Sequence, residues 1–153
     1  MTGPYTFTRL TADDLPLVHD WLRRPYVAEW WDDEGEIAAV VADRDGDTVP
    51  YLVRLAGKPL GYLQCSELEP RVRGIDQFIG EPDLVGRGHG STFIRLFCDR
   101  LFDAHSADAI TTDPDPRNTR AVRAYAKAGF QPVGPRSEPW GNVLLMRRER
   151  ATP

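Results

Sequence analysis

Three glycines at alternate positions, Gly86, Gly88 and Gly90, stand directly before a strongly amphipathic stretch. In that stretch Phe93, Ile94, Phe97, Cys98, Leu101 and Phe102 recur at helical spacing and make one apolar face. Strand, helix and strand in succession, with helices following glycine-rich loops, indicate an α/β sheet of mixed direction. The glycine loop exposes successive backbone N–H groups and removes side chains that would block an anion, while the helix N-terminus adds partial positive charge. It is therefore a candidate cradle for a pyrophosphate, and a flexible turn entering a helix is the alternative that the loop alone leaves open. Two nucleotide-binding patterns are disfavoured. No Lys-Ser or Lys-Thr follows the loop, as a Walker A motif requires. Glu81 to Val85 separate the loop from the strand before it, whereas a Rossmann loop leaves its strand directly.

The rest of the chain is consistent with that class. Thr11, with Asp14 three residues on, approximates a capping box, and Leu15, Val18, Trp21 and Leu22 follow at helical spacing. Ile37 to Val41 reads as a short second helix ended by Asp45-Gly46-Asp47. Tyr51 to Ala56 and Leu60 to Cys65 read as strands joined at Gly57-Lys58, and Gly74 to Gly80 as a third. The last third predicts a strand over Ala109 to Thr112, a helix over Arg117 to Ala128 stopped by Gly129, and two further strands. The expected class is α/β, with a mixed sheet flanked by helices. With 153 residues, no internal repeat and no low-complexity linker, residues 1–153 are expected to form a single domain. The 19 Lys and Arg against 23 Asp and Glu leave a net charge of −4 and form no basic run. Nucleic acid is therefore disfavoured, and a charged partner is expected to be a cation. Cys65, Cys98, His19, His89 and His105 lack metal-ligand spacing, so no metal is expected. The first residues lack a basic and then apolar leader, and no apolar run is long enough to span a bilayer. The expectation is a cytoplasmic protein with reduced thiols and no membrane partner.

Downstream of the loop, Asn118, Ala121, Tyr125, Gly129 and Phe130 form the pattern Asn-x-x-Ala-x-x-x-Tyr-x-x-x-Gly-Phe. With the loop before it, this resembles the GNAT N-acetyltransferases. The resemblance implies the GNAT fold, a mixed twisted central sheet with splayed strands at an acetyl-CoA site, and acetyl-CoA as co-substrate. It implies that Val85, Gly86, Arg87, Gly88, His89, Gly90 and Ser91 surround the pyrophosphate. Gln77, Phe78, Ile79 and Gly80 would pair with the pantetheine arm and Asn118 would hydrogen-bond it. Ala121 joins the cofactor-binding set, and Tyr125 would sit beside the thioester sulfur. Val85 stands where many GNAT loops carry Arg or Gln, a side chain that is not what binds phosphate. Val72 to Ile79, Thr112 to Pro116, Asn118 to Ala121, Glu29-Trp30-Trp31 and Gly61-Tyr62-Leu63-Gln64 are similar to the aminoglycoside 6′-N-acetyltransferases, over about Leu10 to Met146.

Acetyl transfer to an amine needs a neutral nitrogen, a polarised thioester carbonyl and an acid for the departing thiolate. Asp76 lies mid-strand in Ile75-Asp76-Gln77-Phe78-Ile79. Alone it reads as the solvent face of a half-buried strand; the resemblance makes it a site residue. Its ordinary pKa of about 3.9 is poorly matched to direct removal of an alkylammonium proton, so its expected work is to bind the ammonium and relay the proton through water. Tyr125, ordinarily near a pKa of about 10, is suited to protonate the thiolate, with a core tyrosine beside Ala121 and Ala128 as the alternative. A backbone N–H from Phe78 to Gly80 is the expected oxyanion donor. Trp31, Asp32, Asp76 and Asp113 are the expected acceptor-binding residues, because aromatic faces with carboxylates suit a polyamine sugar. Other readings stay open: one of Trp30 and Trp31 as a core ring and the other as rim, Asp32-Asp33-Glu34 as a solvated helix start, and Asp113 and Asp115 as turn residues beside proline.

Two departures bear on the acceptor. Ser66 to Arg71 is short where the resistance enzymes carry a longer acidic, Trp-rich loop, and Pro139-Trp140-Gly141 replaces a Pro-Asp-Gly that supplies a drug-facing carboxylate there. Weaker or altered drug binding is the consequence expected. The leading reading is an acetyl-CoA-dependent N-acetyltransferase of a small polycationic amine, the 6′-amine of an aminoglycoside, working as a monomer or homodimer. The alternatives are an N-acyltransferase of a siderophore precursor or another small polyamine, and a non-catalytic acyl-CoA-binding module. The presence of both Asp76 and Tyr125 speaks against the last.

Overall fold

The computed structural model describes residues 4–31 and 34–151, so Asp32 lies outside the described residues. The chain packs as two compact units, Met1–Ser66 with Asp76–Val85, and Glu67–Ile75 with Gly86–Pro153.

In the first unit, strand β1 (Tyr5–Arg9) leads to a 3-10 turn over Ala12–Asp14 and helix α1 (Leu15–Leu22). The Asp14 carboxylate accepts the Thr11 N–H at 2.9 Å, the returning half of a capping box, but it closes the 3-10 turn rather than opening α1 directly. A four-residue helix α2 (Pro25–Ala28), begun by proline at its first position, is an element absent from the sequence reading. Helix α3 (Glu34–Ala42) follows, then β2 (Thr48–Leu55) and β3 (Lys58–Glu69). Strand β1 pairs antiparallel with β2, and β2 with β3. The β2–β3 turn falls at Ala56-Gly57, one residue earlier than expected, with φ of +50° and +83°. Two successive positive φ values give the twist a two-residue hairpin needs. Val18, Trp21, Leu22, Val27, Ile37, Leu52 and Tyr62 are buried together with Phe78 of β4 (Val72–Ile79), and Leu15 packs half-buried against them.

The second unit holds the N-terminal half of β4, helix α4 (His89–Asp103), β5 (Ala109–Thr112), helix α5 (Thr119–Lys127), β6 (Gln131–Glu138) and β7 (Gly141–Glu149). Strand β4 pairs parallel with β5, and β7 pairs antiparallel with both β5 and β6. Hydrogen-bonded neighbours run β1-β2-β3-β4-β5-β7-β6, a seven-stranded mixed sheet, as the α/β expectation required. Helix α4 buries Phe93, Ile94, Phe97, Cys98 and Phe102, the apolar face read from the sequence, with Leu101 at its half-buried margin. Arg148 of β7 anchors that helix: it pairs with Asp99 at 2.6 Å and lies 5.3 Å from the Phe102 ring centroid. Helix α5 ends as its sequence dictates. Gly129 takes a φ of +102°, and the Phe130 N–H returns to the Tyr125 carbonyl at 3.0 Å, a Schellman closure. The tight hairpin at Pro70-Arg71 places Arg71 at φ +69°, and its guanidinium grips Asp108 at 2.8 and 2.9 Å.

Candidate active site

In the second unit the glycine loop is bare backbone. Gly86 and Gly88 have φ of +77° and +84°, and Gly88 is the residue from which α4 starts. An added Cβ at either glycine would meet nothing within 4 Å, so the loop uses glycine for its left-handed backbone and leaves open space above it. The Gly88 carbonyl accepts the Thr92 hydroxyl at 2.8 Å and the Ser91 hydroxyl at 3.1 Å, which turns both side chains back onto the helix. No side chain caps the start of this 15-residue helix. Its first-turn N–H groups lack intrahelical acceptors, and its dipole puts partial positive charge at that end. That is the geometry an anion requires. Gly86, Arg87 and Gly88 are exposed, His89 and Ser91 are half-buried, and Gly90 is buried.

The downstream motif makes helix α5. Asn118 is its N-cap, and its side-chain oxygen accepts the Ala121 N–H at 3.2 Å, so two residues of the pattern are joined by a structural bond. The Asn118 amide nitrogen is the end with donors to offer a ligand carbonyl. Tyr125 is only 2% exposed, with its ring edge-on to Phe130 at 5.5 Å between centroids. Its ring is thus seated as a core tyrosine's is.

Asp113 is half-buried, and burial pushes its carboxyl above the ordinary range; Arg136 opposes the shift and Glu138 adds to it. Arg136 in turn pairs with Glu138 at 2.7 Å. Glu138 and Arg136 were missed by the sequence reading, although they lie just before the Pro139-Trp140-Gly141 departure. Trp140 is 73% exposed at the β6–β7 turn. Asp115 behaves as a turn residue: it accepts the Arg117 N–H at 2.9 Å and pairs with that side chain at 2.7 Å.

In the first unit Asp76 is half-buried on β4 and, two and four residues before them, shares a strand face with Phe78 and Gly80. Tyr62 stacks on Phe78 at 5.5 Å. Burial pushes the Tyr62 phenol far above its ordinary value, and the charges of Glu36 and Asp76 push the same way. Trp31 stands edge-on to Tyr62 at 5.7 Å and to Phe78 at 5.3 Å. Trp30 and Trp31 are both half-buried, so neither is the core ring; that place belongs to Trp21. The Tyr62 hydroxyl donates to Gln64 at 2.8 Å inside the unit. Tyr62, Gln64 and Glu36 were not assigned from sequence, although Tyr62 and Gln64, two apart in an apolar strand, are the signal that places them on one face.

The C-terminal end of β4 discriminates among its own backbone groups. The Gly80 N–H donates to the Leu60 carbonyl at 2.9 Å, so it faces β3. The Phe78 carbonyl also faces β3, lying where a Cβ on Gly61 would otherwise be. The peptide bond is trans, so the Ile79 N–H points away from β3, and strand alternation gives Gln77 the same direction. Val85, half-buried and extended, follows the 3-10 turn over Pro82–Leu84.

A glycine loop of bare backbone at a helix start in an α/β sheet, with a half-buried carboxylate on the strand face of an aromatic ring elsewhere in the chain, is a combination suited to an anionic co-substrate and a cationic acceptor. Comparison with known proteins gives the family. The profile of the GNAT acetyltransferase domain matches residues 11–137. The aminoglycoside N(6′)-acetyltransferase type 1 of Klebsiella pneumoniae is 33% identical over 95% of this chain and 83% of its own. A kanamycin resistance protein of Rhizobium radiobacter is 39% identical over 55% of this chain and 78% of its own. The crystal structure of the aminoglycoside acetyltransferase AAC(6′)-Ib with coenzyme A and kanamycin is 32% identical, covers 95% of both chains and has a TM-score of 0.86. This chain belongs to the GNAT acetyltransferase family.

Proposed function

We propose that this enzyme transfers the acetyl group of acetyl-CoA to a primary amine of an aminoglycoside, its 6′-amine, and that residues 1–153 act as one catalytic domain. The observation that carries this reading is the glycine loop, whose two left-handed residues open an uncapped 15-residue helix beneath empty space. Backbone N–H groups from Gly86 to Ser91 bind the pyrophosphate, with Val85, Arg87 and His89 around it. The Asn118 amide nitrogen and the outward backbone groups of Gln77 and Ile79 hold the pantetheine arm, with Ala121 beside it. The Ile79 N–H polarises the thioester carbonyl; Gly80 is a poor candidate, because its N–H is already donated to Leu60.

Asp76 binds the acceptor ammonium and takes its proton through water. The neutral nitrogen then attacks the thioester carbon, the added nitrogen gives its second proton to solvent, and the C–S bond of the tetrahedral intermediate breaks. Tyr125 gives its phenolic proton to the thiolate and is reprotonated from solvent. Trp31, Asp32 and Asp113 hold the rest of the polyamine sugar, with the Tyr62 and Phe78 rings behind Trp31. The similarity to aminoglycoside acetyltransferases along most of the chain supports this acceptor, and the family profile, which runs through both units, supports a single catalytic domain. In the same proposal the enzyme works in the cytoplasm as a monomer or homodimer, without nucleic acid or membrane.

Thiol release from acetyl-CoA, followed with kanamycin, tobramycin, diaminoalkanes and hydroxylated lysine, tests the reading. Kanamycin- and tobramycin-like compounds should release CoA above background, with a high KM because the β3–β4 hairpin is short and Trp140 stands in place of a carboxylate. A 6′-hydroxyl analogue should not be turned over. Release with a hydroxylysine-type amine and none with any aminoglycoside would replace the proposed acceptor with the siderophore-precursor alternative.

A further inference from the structure

The end of β4 is held by more than a strand end needs. The Gly80 carbonyl accepts two hydrogen bonds, from Arg24 Nη1 at 2.8 Å and from the Tyr26 hydroxyl. Its N–H is taken by Leu60, and a Cβ at Gly80 would overlap the buried Trp21 indole, so the residue is held on every side. Arg24 is steadied in turn by Glu81 at 3.6 Å and Asp20 at 3.4 Å. The local sequence explains why both donors reach one oxygen. Pro25 starts α2 and leaves Arg24 extended at φ −72° and ψ 134°, so the chain turns between α1 and α2 and presents Arg24 and Tyr26 from one short corner.

One neutral donor would satisfy a part-buried carbonyl; a charge-assisted bond added to a second donor fixes its direction. Two consecutive peptide planes are thereby set, Ile79–Gly80 through Leu60 and Gly80–Glu81 through Arg24 and Tyr26. Gly80 joins those two planes and is fixed by both, and the next plane back along β4, Phe78–Ile79, carries the Ile79 N–H, which points away from β3 because the Phe78 carbonyl lies against Gly61. We propose that Arg24 and Tyr26 are positioning residues for acetyl transfer, locking Gly80 so that the Ile79 N–H is held at the angle the developing oxyanion requires. This rests on the transfer reading above.

The expected size of the effect follows from geometry. Removing one oxyanion donor costs roughly 10²–10³-fold in kcat, so loosening one should cost about 10–100-fold. Arg24→Met and Tyr26→Phe are compared with the wild type for kcat, KM, calorimetric acetyl-CoA affinity, thermal midpoint and the Ile79 amide resonance in ¹H–¹⁵N spectra. Both variants should lower kcat within that range and shift the Ile79 amide, with acetyl-CoA affinity changed by less than about threefold. Arg24→Lys should restore much of the rate, because it returns a cationic donor to the carbonyl. The proposal is overturned if the Ile79 resonance stays put and kcat is retained. It is equally overturned if kcat, cofactor affinity and thermal midpoint fall in parallel, as a merely structural contact would make them. Should the wild type acetylate no amine at all, the transfer reading falls and the oxyanion role with it, while the Ile79 resonance still decides whether Arg24 and Tyr26 hold that N–H.

Discussion

Glycine occupies key positions in both units for opposite physical reasons. In the first unit, Gly61 and Gly80 are glycine because something is already there: the Phe78 carbonyl against one and the Trp21 indole against the other. In the second, Gly86 and Gly88 are glycine although nothing is there; their backbone is left-handed and the space above it is open. A packing glycine protects the fold, whereas a conformational glycine beneath open space preserves room for something outside the chain. Substitutions at these glycines should therefore separate by readout, stability in the first unit and co-substrate affinity in the second, with turnover left to Asp76 and Tyr125.

The sharpest test of that separation is Asp76→Asn. A group that binds and deprotonates the acceptor typically contributes 10²–10⁴-fold, so most of kcat/KM should be lost while calorimetric acetyl-CoA affinity stays within about twofold. A parallel loss of affinity would erase the distinction. Tyr125→Phe belongs with it on turnover, and its deficit should shrink with a thioester whose thiol leaves more easily.

Next in size is Gly80→Val, which forces a branched side chain into the Trp21 indole. Overpacking of this kind costs about 1–3 kcal/mol, and the thermal midpoint should fall by several degrees. Gly88→Val should do the reverse. Its left-handed φ makes any Cβ locally unfavourable by roughly 1–2 kcal/mol, but nothing in the protein obstructs the side chain. The fold should survive while acetyl-CoA affinity drops about tenfold or more, because the valine fills the space proposed for the pyrophosphate. Unchanged affinity in calorimetry would remove the cradle from the loop.

The smallest effect is expected at Asp113. Burial raises its folded-state pKa, so the ionised form costs the folded protein stability. That cost is absent below the unfolded value of about 3.9, where both states are protonated, and appears as pH rises through the folded pKa. Asp113→Asn should consequently leave the thermal midpoint unchanged or slightly raised at neutral pH, with the gain vanishing in acid. The same variant should flatten the salt dependence of kcat/KM for a polycationic drug, since the attraction between separated charges is screened over about 8–10 Å at physiological ionic strength. A monoamine acceptor should respond much less to salt in either protein.

Legibility in the sequence followed the range of the interaction. Helix α4, its glycine loop and the Gly129 stop were readable, because each depends on residues within about one or two helical turns of one another, whereas the Asn118 cap was not, since the helix was expected to start at Arg117 and starts at Thr119. Strand β5 was placed at its observed bounds, Ala109–Thr112, from its short apolar run. The four-residue α2 was missed because it is too short to show a hydrophobic period. Trp30 and Trp31 could not be ranked from sequence, and the structure places Trp31 against Tyr62 and Phe78 and a different tryptophan, Trp21, in the core.

The order of residues alone supplies the chemistry on offer: a glycine loop at the head of a helix, a carboxylate in an apolar strand, a helix carrying a tyrosine, and a family pattern joining them. Those features rest on local backbone preference and periodicity, which neighbouring residues decide among themselves. The three-dimensional fold settles which backbone groups of β4 are already engaged, that Arg24 reaches a carbonyl 56 residues away, and that the charges of Arg136 and Glu138 bear on Asp113. The physical reason is that burial and charge proximity are properties of space. A glycine reads the same in sequence whether it faces an indole or open space, and a carboxyl takes its proton affinity from neighbours that the order of residues does not name.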